Sequence, residues 1–278
     1  MKKLLACLAV GALIPLGPAL AGNVFVTGHD PIWHSGFGGN AVGAANMATA
    51  GIDFARGGSA LPFLFIESEP PTGVPAGNAF TAPFLATHLG YAGQYTVMNG
   101  AELAALPDFR AALSGFSAIV VASDHGGMLT AAELGFLNSH AADILDYINA
   151  GGGLYAEAES NATGNIGATP RFGFLPFLVS STDFQAAEIA NTVTAFGAGA
   201  PFLLTNADVN GNFSHNFFAA TGGMAPVDLF NGDPSRPLTL AFSGQLSTGG
   251  VLPEPSVLAL LALALALLVL AAPRRAAA

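Results

Sequence analysis

Cysteine is almost absent from the 278-residue chain, which contains only Cys7. That residue lies within an apolar N-terminal segment of the kind that is removed on export. We therefore expect the mature chain to have no disulfide, no thiolate metal ligand and no thiol nucleophile. Its stability has to come from the packing of its core.

Charge is also scarce, since Asp, Glu, Lys and Arg make up only 9% of the residues. Without residues 1–21 and 252–278, four basic and 17 acidic residues remain, which gives a net charge of −13. Such a chain repels the phosphate backbone, so no nucleic-acid partner is expected. The remaining residues are enough for one large domain with a substantial core.

The N-terminal segment has the three parts of a secretory signal peptide. Lys2 and Lys3 precede an apolar stretch from Leu4 to Leu16, and Ala19-Leu20-Ala21 supplies small residues before Gly22. This pattern predicts a signal peptide over residues 1–21, handled by the Sec translocon and signal peptidase. A lipoprotein signal is excluded because its cysteine follows the apolar stretch, whereas Cys7 precedes most of it.

The C-terminal segment begins with Leu252-Pro253-Glu254-Pro255 and has an arginine pair, Arg274-Arg275, close to its last residue. Between them lies an uncharged apolar run of 17 residues, 256–272. As a helix it would be roughly 25 Å long, just under a bilayer core of about 30 Å. We expect a transmembrane helix with the arginines in the cytoplasm and the body of the chain outside.

The Pro-Glu-Pro motif, single helix and terminal arginines resemble the PEP-CTERM sorting signal of Gram-negative bacteria. That resemblance covers residues 252–278 and implies recognition by exosortase and removal of the tail. It also implies an inner-membrane-anchored precursor that becomes a cell-surface or extracellular protein, with exopolysaccharide as a possible partner. The alternative is an ordinary tail anchor in which Pro-Glu-Pro occurs by chance.

Residues 22–248 are predicted to form one α/β domain. Short apolar runs that could be buried strands alternate with helix-like segments, which favours a doubly wound, mostly parallel sheet with helices on both faces. The strands are expected at 23–27, 61–66, 94–98, 118–122 and 153–158. The clearest helix is expected at 130–150, with a Thr130–Glu133 capping box and a left-handed cap at Gly151. Beyond Asn161 the pattern indicates a mixed or antiparallel extension.

Acidic and imidazole side chains follow three of the predicted strands. The candidates are His29, Asp30 and His34 after the first strand, Asp124 and His125 after the fourth, Glu157 and Glu159 at the end of the fifth, and His215 in the second half. The carboxyl ends of parallel strands meet at one edge, where ligands bind. Together these groups could hold a divalent metal or perform acid–base chemistry. Turns and helix caps select the same residue types, so a structural role is the alternative.

Gly28-His29-Asp30, the segment 118–127 and the helix-glycine-strand unit 144–159 resemble the class I glutamine amidotransferase-like superfamily, especially its ThuA-like branch. The resemblance implies a flavodoxin-like sheet. That superfamily places a nucleophilic cysteine at the turn that here is residues 157–160, which contain no cysteine. Thiol-based amide hydrolysis is therefore excluded. A sugar or ligand site, or a former active site used only for binding, stays open.

Asp208, Asn210 and Asn212 place oxygen ligands at alternate positions, as in a calcium loop. An EF-hand also needs glycine at the sixth position and glutamate at the twelfth, where this chain has Phe213 and Ala219. A surface turn is therefore the main expectation for this segment, with calcium as the weaker alternative.

Three functions are consistent with the sequence. The first is an exported, exosortase-processed surface protein whose amidotransferase-like domain binds a ligand without catalysis or cofactor. The second is a metal- or carboxylate-dependent hydrolase acting on a sugar or amide. The third is a purely structural matrix protein, which predicts that the candidate side chains are scattered over the surface.

Overall fold

A computed structural model describes residues 22–68, 79–124, 126–157, 166–183, 188, 190–211, 214–248 and 250–252. The predicted signal peptide, the Pro253-Glu254-Pro255 motif, the helix at 256–272 and the pair Arg274-Arg275 lie outside the described residues. Within the described part, no helix combines the length and apolar character needed to cross a membrane.

The domain is a mixed α/β structure with a large, mostly parallel central sheet. Its parallel strands are β1 Gly22–Thr27, β2 Phe63–Ile66, β3 Tyr95–Met98, β4 Ala118–Val121 and β5 Gly153–Ala156. They lie side by side in the order β3-β2-β4-β5-β1. All five strands were predicted, with ends that differ from the predicted ends by no more than two residues.

The second half of the chain adds antiparallel strands. They are β6 Ser180–Asp183, β7 Thr192–Val193, β8 Asn216–Ala220, β9 Ala225–Leu229, β10 Pro237–Ser247 and β11 Gly250–Leu252. β10 pairs with β1, β9 with β10 and β7 with β9, so the large sheet continues beyond β1. β11 pairs with β10, and β6 and β8 form a separate two-stranded sheet. The predicted antiparallel extension is thus confirmed.

Helices cover both faces of the sheet. They are α1 Pro31–His34, α2 Ala41–Arg56, α3 Ala82–Thr87, α4 Gly100–Ala104, α5 Phe109–Leu113, α6 Ala131–Ser139, α7 Ala141–Asn149 and α8 Ala195–Ala198, with a 3-10 turn at Phe230–Gly232. Buried side chains of α1, α2 and α3 share one apolar cluster, and those of α5, α6 and α7 share the other.

Alternation along each buried strand divides the core between these two faces. Val24 and Leu154 belong to the cluster beneath α5, α6 and α7. Phe25 and Tyr155 point to the opposite face, where their rings stack with centroids 5.6 Å apart. Glycines permit the helices to approach, since a Cβ atom at Gly51 of α2 would lie 2.6 Å from the Tyr155 ring.

The single helix predicted at 130–150 is wrong in one respect, because it is interrupted at His140. That residue has a ψ of 23° and serves as both the end of α6 and the start of α7. Its imidazole contacts the Asp143 carboxylate at 2.7 Å in the first turn of α7, which stabilises a new helix start. The predicted Thr130–Glu133 capping box is confirmed, and Gly151 has the expected positive φ of 99°.

Two glycines give a matched test of this packing. A Cβ atom at Gly153 of β5 would lie 1.8 Å from the Ala55 carbonyl oxygen of α2, whereas one at Gly135 of α6 would meet open space. We expect Gly153→Ala to lower the free energy of unfolding by about 1–3 kcal/mol through overpacking. Gly135→Ala should raise it by about 0.5–1 kcal/mol, because alanine favours the helix. Denaturant unfolding of both variants measures this, and equal effects would contradict the close α2–β5 contact.

Candidate functional site

The candidate site begins at Gly28, the residue that directly follows β1. The Gly28 carbonyl accepts hydrogen bonds from the backbone N–H of His215 at 2.8 Å and of Asn216 at 3.3 Å. A Cβ atom at position 28 would lie only 1.9 Å from the Asn216 carbonyl oxygen. Glycine is therefore needed here, because only its bare backbone lets the segment before β8 come this close to the end of β1.

Asp30 lies at the centre of the site and is completely buried. Its Oδ1 atom is 3.2 Å from Nε2 of His34 and 3.2 Å from Nε2 of His215. His34 is one turn further along α1, so the i, i+4 spacing places it on the same side as Asp30. The two imidazole rings are nearly parallel, with centroids 6.2 Å apart. Only the imidazoles reach the surface, with side-chain exposures of 10% and 13%.

The surroundings of Asp30 disfavour its charge. Burial is the main cause that raises the pKa of Asp30 well above its ordinary value. Its own backbone N–H and the nearby His29 lower that pKa, while the carboxylates of Glu188 and Asp124 raise it further. Within the described residues, neither oxygen of Asp30 accepts a hydrogen bond from another residue. Perturbed, buried acids of this kind are concentrated at functional sites.

The imidazole of His29 contacts the carboxylate of Asp228. Its Nε2 atom lies 2.8 Å from Oδ2 of Asp228 on β9, and both side chains are completely buried. The His29 backbone N–H donates to the Thr27 hydroxyl, which in turn is 2.9 Å from the Thr239 hydroxyl on β10. These contacts join β1, β9 and β10 immediately behind Asp30. His29 therefore supports the site and does not belong to the Asp30 cluster.

The loop after β4 closes another side of the site. Asp124 is completely buried, and the Ser123 hydroxyl accepts a hydrogen bond from the Gly127 N–H at 2.9 Å. A Cβ atom at Gly126 would lie 2.6 Å from Oδ2 of Asp30 and 2.5 Å from the Trp33 ring. The loop therefore contacts Asp30 directly. The candidates His125 and Glu159 lie outside the described residues.

Glu157, predicted as a catalytic candidate, contacts the backbone of α1. Its Oε1 atom accepts hydrogen bonds from the Ile32 N–H at 2.9 Å and the Tyr155 hydroxyl at 2.8 Å. Burial raises the pKa of Glu157 well above its ordinary value, although these two donors lower it. The carboxyl group orients the start of α1, which carries His34, so its role is positioning.

Glu67 follows β2 directly and orients the start of α3, as Glu157 orients the start of α1. Its carboxylate accepts from the backbone N–H of Thr81 and Ala82, each at 2.8 Å, and from the Thr81 hydroxyl. Burial nevertheless raises the pKa of Glu67 to about 7. Sequence reasoning did not select this residue as a candidate, although it follows a predicted strand, as Asp124 does.

Asp208 and Asn210, for which a surface turn was the main expectation and calcium binding the weaker alternative, form hydrogen bonds with other protein groups. Oδ2 of Asp208 accepts from the Thr205 N–H at 2.8 Å, and the Asn210 side chain donates to the carbonyls of Asn191 and Asn206. These contacts hold the segment as a turn. The third predicted ligand, Asn212, lies outside the described residues.

Three residues of this region carried no signal that sequence reasoning could use. Asp228 lies within a strand, Glu188 lies in an irregular segment, and Trp33 is a single aromatic residue within α1. Asp228 and Glu188 reach the site only through the tertiary fold, whereas Trp33 lies next to His34 in α1. A partial signal existed for His34, because an i, i+4 Asp–His pair after a strand can place two ligand atoms together.

No family model matches this chain, and no curated protein and no solved structure is significantly similar to it. The site's geometry is therefore the basis for inferring its chemistry. A buried carboxylate contacted by two imidazoles can exchange protons with a substrate or share a bound cation with its neighbours.

The raised pKa of Glu67 predicts a specific pH dependence of stability. Folded Glu67 keeps its proton up to about pH 7, whereas the unfolded residue loses it near pH 4.5. The folded state therefore binds more protons in this window, and stability falls as pH rises through it. Glu67→Gln should remove a decline of up to about 3 kcal/mol. Unfolding free energies of both chains from pH 4.5 to 7.5 test this, and parallel curves would contradict it.

Proposed function

We propose that this chain is an exported, exosortase-processed surface protein whose α/β domain is a hydrolase for a sugar or amide substrate. The observation that carries the catalytic part is the meeting of Asp30, His34 and His215 at the carboxyl edge of the sheet. A purely structural matrix protein does not need three titratable groups in contact at one place. Burial of such groups costs stability, and clusters of perturbed titratable groups are concentrated at functional sites.

The arrangement suits acid–base catalysis at a surface-accessible edge. Asp30 is completely buried, while the two imidazoles are partly exposed and can meet a substrate. Histidine is the side chain that most readily exchanges protons near neutral pH. The imidazoles are therefore the groups that would transfer protons, and Asp30 would hold both in place.

Aromatic side chains beside the site favour a sugar over an amide. The Trp33 ring lies against His34, with centroids 4.5 Å apart, and stacks on Phe37 at 5.1 Å. Phe37 is 44% exposed and also contacts Phe84. Aromatic rings offer a broad apolar face. The C–H face of a pyranose ring packs well against such a surface.

We also propose a more specific fold for the sheet. Helices on both faces of the strands support a doubly wound sheet of the amidotransferase-like, ThuA-like kind. The order β3-β2-β4-β5 matches four strands of the flavodoxin-like order, and β1, the first strand of the chain, takes the place of the fifth. In the order of strands, the site lies where β1 joins the parallel strands to the antiparallel ones. Export and tail removal are supported by residues 1–21 and 252–278 of the sequence.

Chromogenic substrates test the hydrolase. The full chain would be assayed on p-nitrophenyl glycosides and amino-acid p-nitroanilides, with Asp30→Asn and His215→Gln as variants. We expect kcat/KM to fall by about 10²–10⁴-fold in both, the range for loss of an acid–base group. His140→Gln is the matched control, because His140 also contacts a carboxylate but lies between α6 and α7.

Equal activity in all three variants would contradict the catalytic role of the site. Binding of the same glycosides without turnover, abolished by His215→Gln and not by His140→Gln, would replace hydrolysis with ligand binding. Circular dichroism of each variant measures whether it is folded, and only a loss of activity in a folded variant is assigned to the site.

Tail processing has a separate test. In a Gram-negative host that carries exosortase, we expect the chain to lose its C-terminal segment, as measured by intact-mass spectrometry. Replacement of Pro253, Glu254 and Pro255 by alanine should retain the full tail in the membrane fraction, whereas Ser256→Ala should not. Processing of the triple variant at the wild-type rate would show that the motif is not recognised.

A further inference from the structure

We propose that Asp30, His34 and His215 are the protein ligands of one zinc ion with an open fourth position. The ligand set goes beyond the proposed function, and the catalytic use of the ion rests on that function. With zinc bound, the two imidazoles serve as ligands, and the zinc-bound water takes over their role as the group that exchanges protons. The metal would be held by one carboxylate oxygen and two Nε2 atoms, which are donors that suit zinc.

The spacing of the three ligand atoms fits such an ion. All of them lie within 4.8 Å of one another, and the Asp30 Oδ1 atom is 3.2 Å from each imidazole nitrogen. Ligands at about 2.0–2.1 Å from a tetrahedral zinc are separated from each other by roughly 3.3–3.4 Å. Only small side-chain movements are therefore needed to accommodate the metal.

A second observation points to a ligand at the same place. Asp30 is completely buried, and within the described residues neither of its oxygens accepts a hydrogen bond from another residue. Buried carboxylates are normally satisfied by donors or by a metal ion. Glu67 and Glu157 show the usual solution in this same fold, since each accepts hydrogen bonds from a backbone N–H at a helix start.

Charge balance also favours a cation. The carboxylates of Asp124 and Glu188 add negative potential at Asp30. The described residues contain four arginines and no lysine. Each arginine is engaged by another side chain, namely Gln94, Asp146, Asp183 and Asp233. A divalent ion would offset the negative charge around Asp30.

The number of ligands indicates the type of zinc site. Structural zinc is usually enclosed by four protein ligands, whereas catalytic zinc has three and binds water at the fourth position. Bound zinc lowers the pKa of that water to about 7, which supplies a hydroxide for hydrolysis. The partly exposed side of the two imidazoles leaves a route by which water and substrate could reach the ion.

The test uses the full chain and zinc itself. After removal of metal with EDTA and reloading, elemental analysis should find about one zinc per chain in the wild type and in the His140→Gln control. His34→Gln and His215→Gln should each weaken zinc affinity by more than about 100-fold, above the range for loss of an outer partner of a ligand. Cobalt substitution should give the visible absorption bands of a four-coordinate site, which both variants lose.

Two results would overturn the zinc site. One is a folded wild-type chain that binds no zinc, or binds iron in its place. The other is unchanged zinc stoichiometry and affinity in both His34→Gln and His215→Gln. Hydrolysis that survives complete metal removal would reject the catalytic zinc and leave the hydrolase standing. Zinc bound by the three residues without any turnover would reject the hydrolase and leave the metal site standing.

Discussion

The contact between Gly28 and the segment before β8 is the constraint on which the candidate site depends. Gly28 follows β1 directly, and its carbonyl accepts hydrogen bonds from the backbone N–H groups of His215 and Asn216. No side chain could occupy position 28, because a Cβ atom there would collide with the Asn216 carbonyl. This contact brings an imidazole from the second half of the chain to the carboxylate that follows the first strand. Without it, Asp30 and His34 would form only a local pair.

The domain buries several carboxyl groups. Their contacts distinguish those with a structural role from Asp30, for which we propose a functional role. Glu67 and Glu157 each accept backbone N–H groups at the start of a helix, which compensates their burial. Asp228 contacts an imidazole across the sheet at 2.8 Å. Asp30 differs from all of these, because imidazoles contact it while no donor from another described residue forms a hydrogen bond with it. The supporting carboxyl groups thus hold the elements around Asp30 in place.

Particular residues show how far prediction from the sequence extended. The strands β1, β2, β4 and β5 were predictable because their short apolar runs are buried on both faces, as is typical of a parallel sheet. The interruption at His140 was not predictable, because buried apolar residues such as Leu137 and Ile144 continue on both sides of it. Only the local contacts of His140 with Asp143 and Phe136 mark a new helix. Glu157 was a candidate because it lies at the end of a predicted strand, and only the structure shows that its carboxyl group contacts the Ile32 N–H of α1 and the Tyr155 hydroxyl.

Local order along the chain determined the alternation of strands and helices, the buried strand interiors, and the polar residues at the strand ends. It also supplied the two terminal segments from which export and tail processing are inferred. Only the tertiary structure decided which polar residues meet, because His215 lies 185 positions from Asp30 in the chain. Periodicity describes neighbours within one element, whereas the Asp30 cluster depends on hydrogen bonds between β1 and a segment far along the chain. The position of Asp124 beside the site and the contact of Glu157 with α1 also depend on the tertiary structure and not on local periodicity.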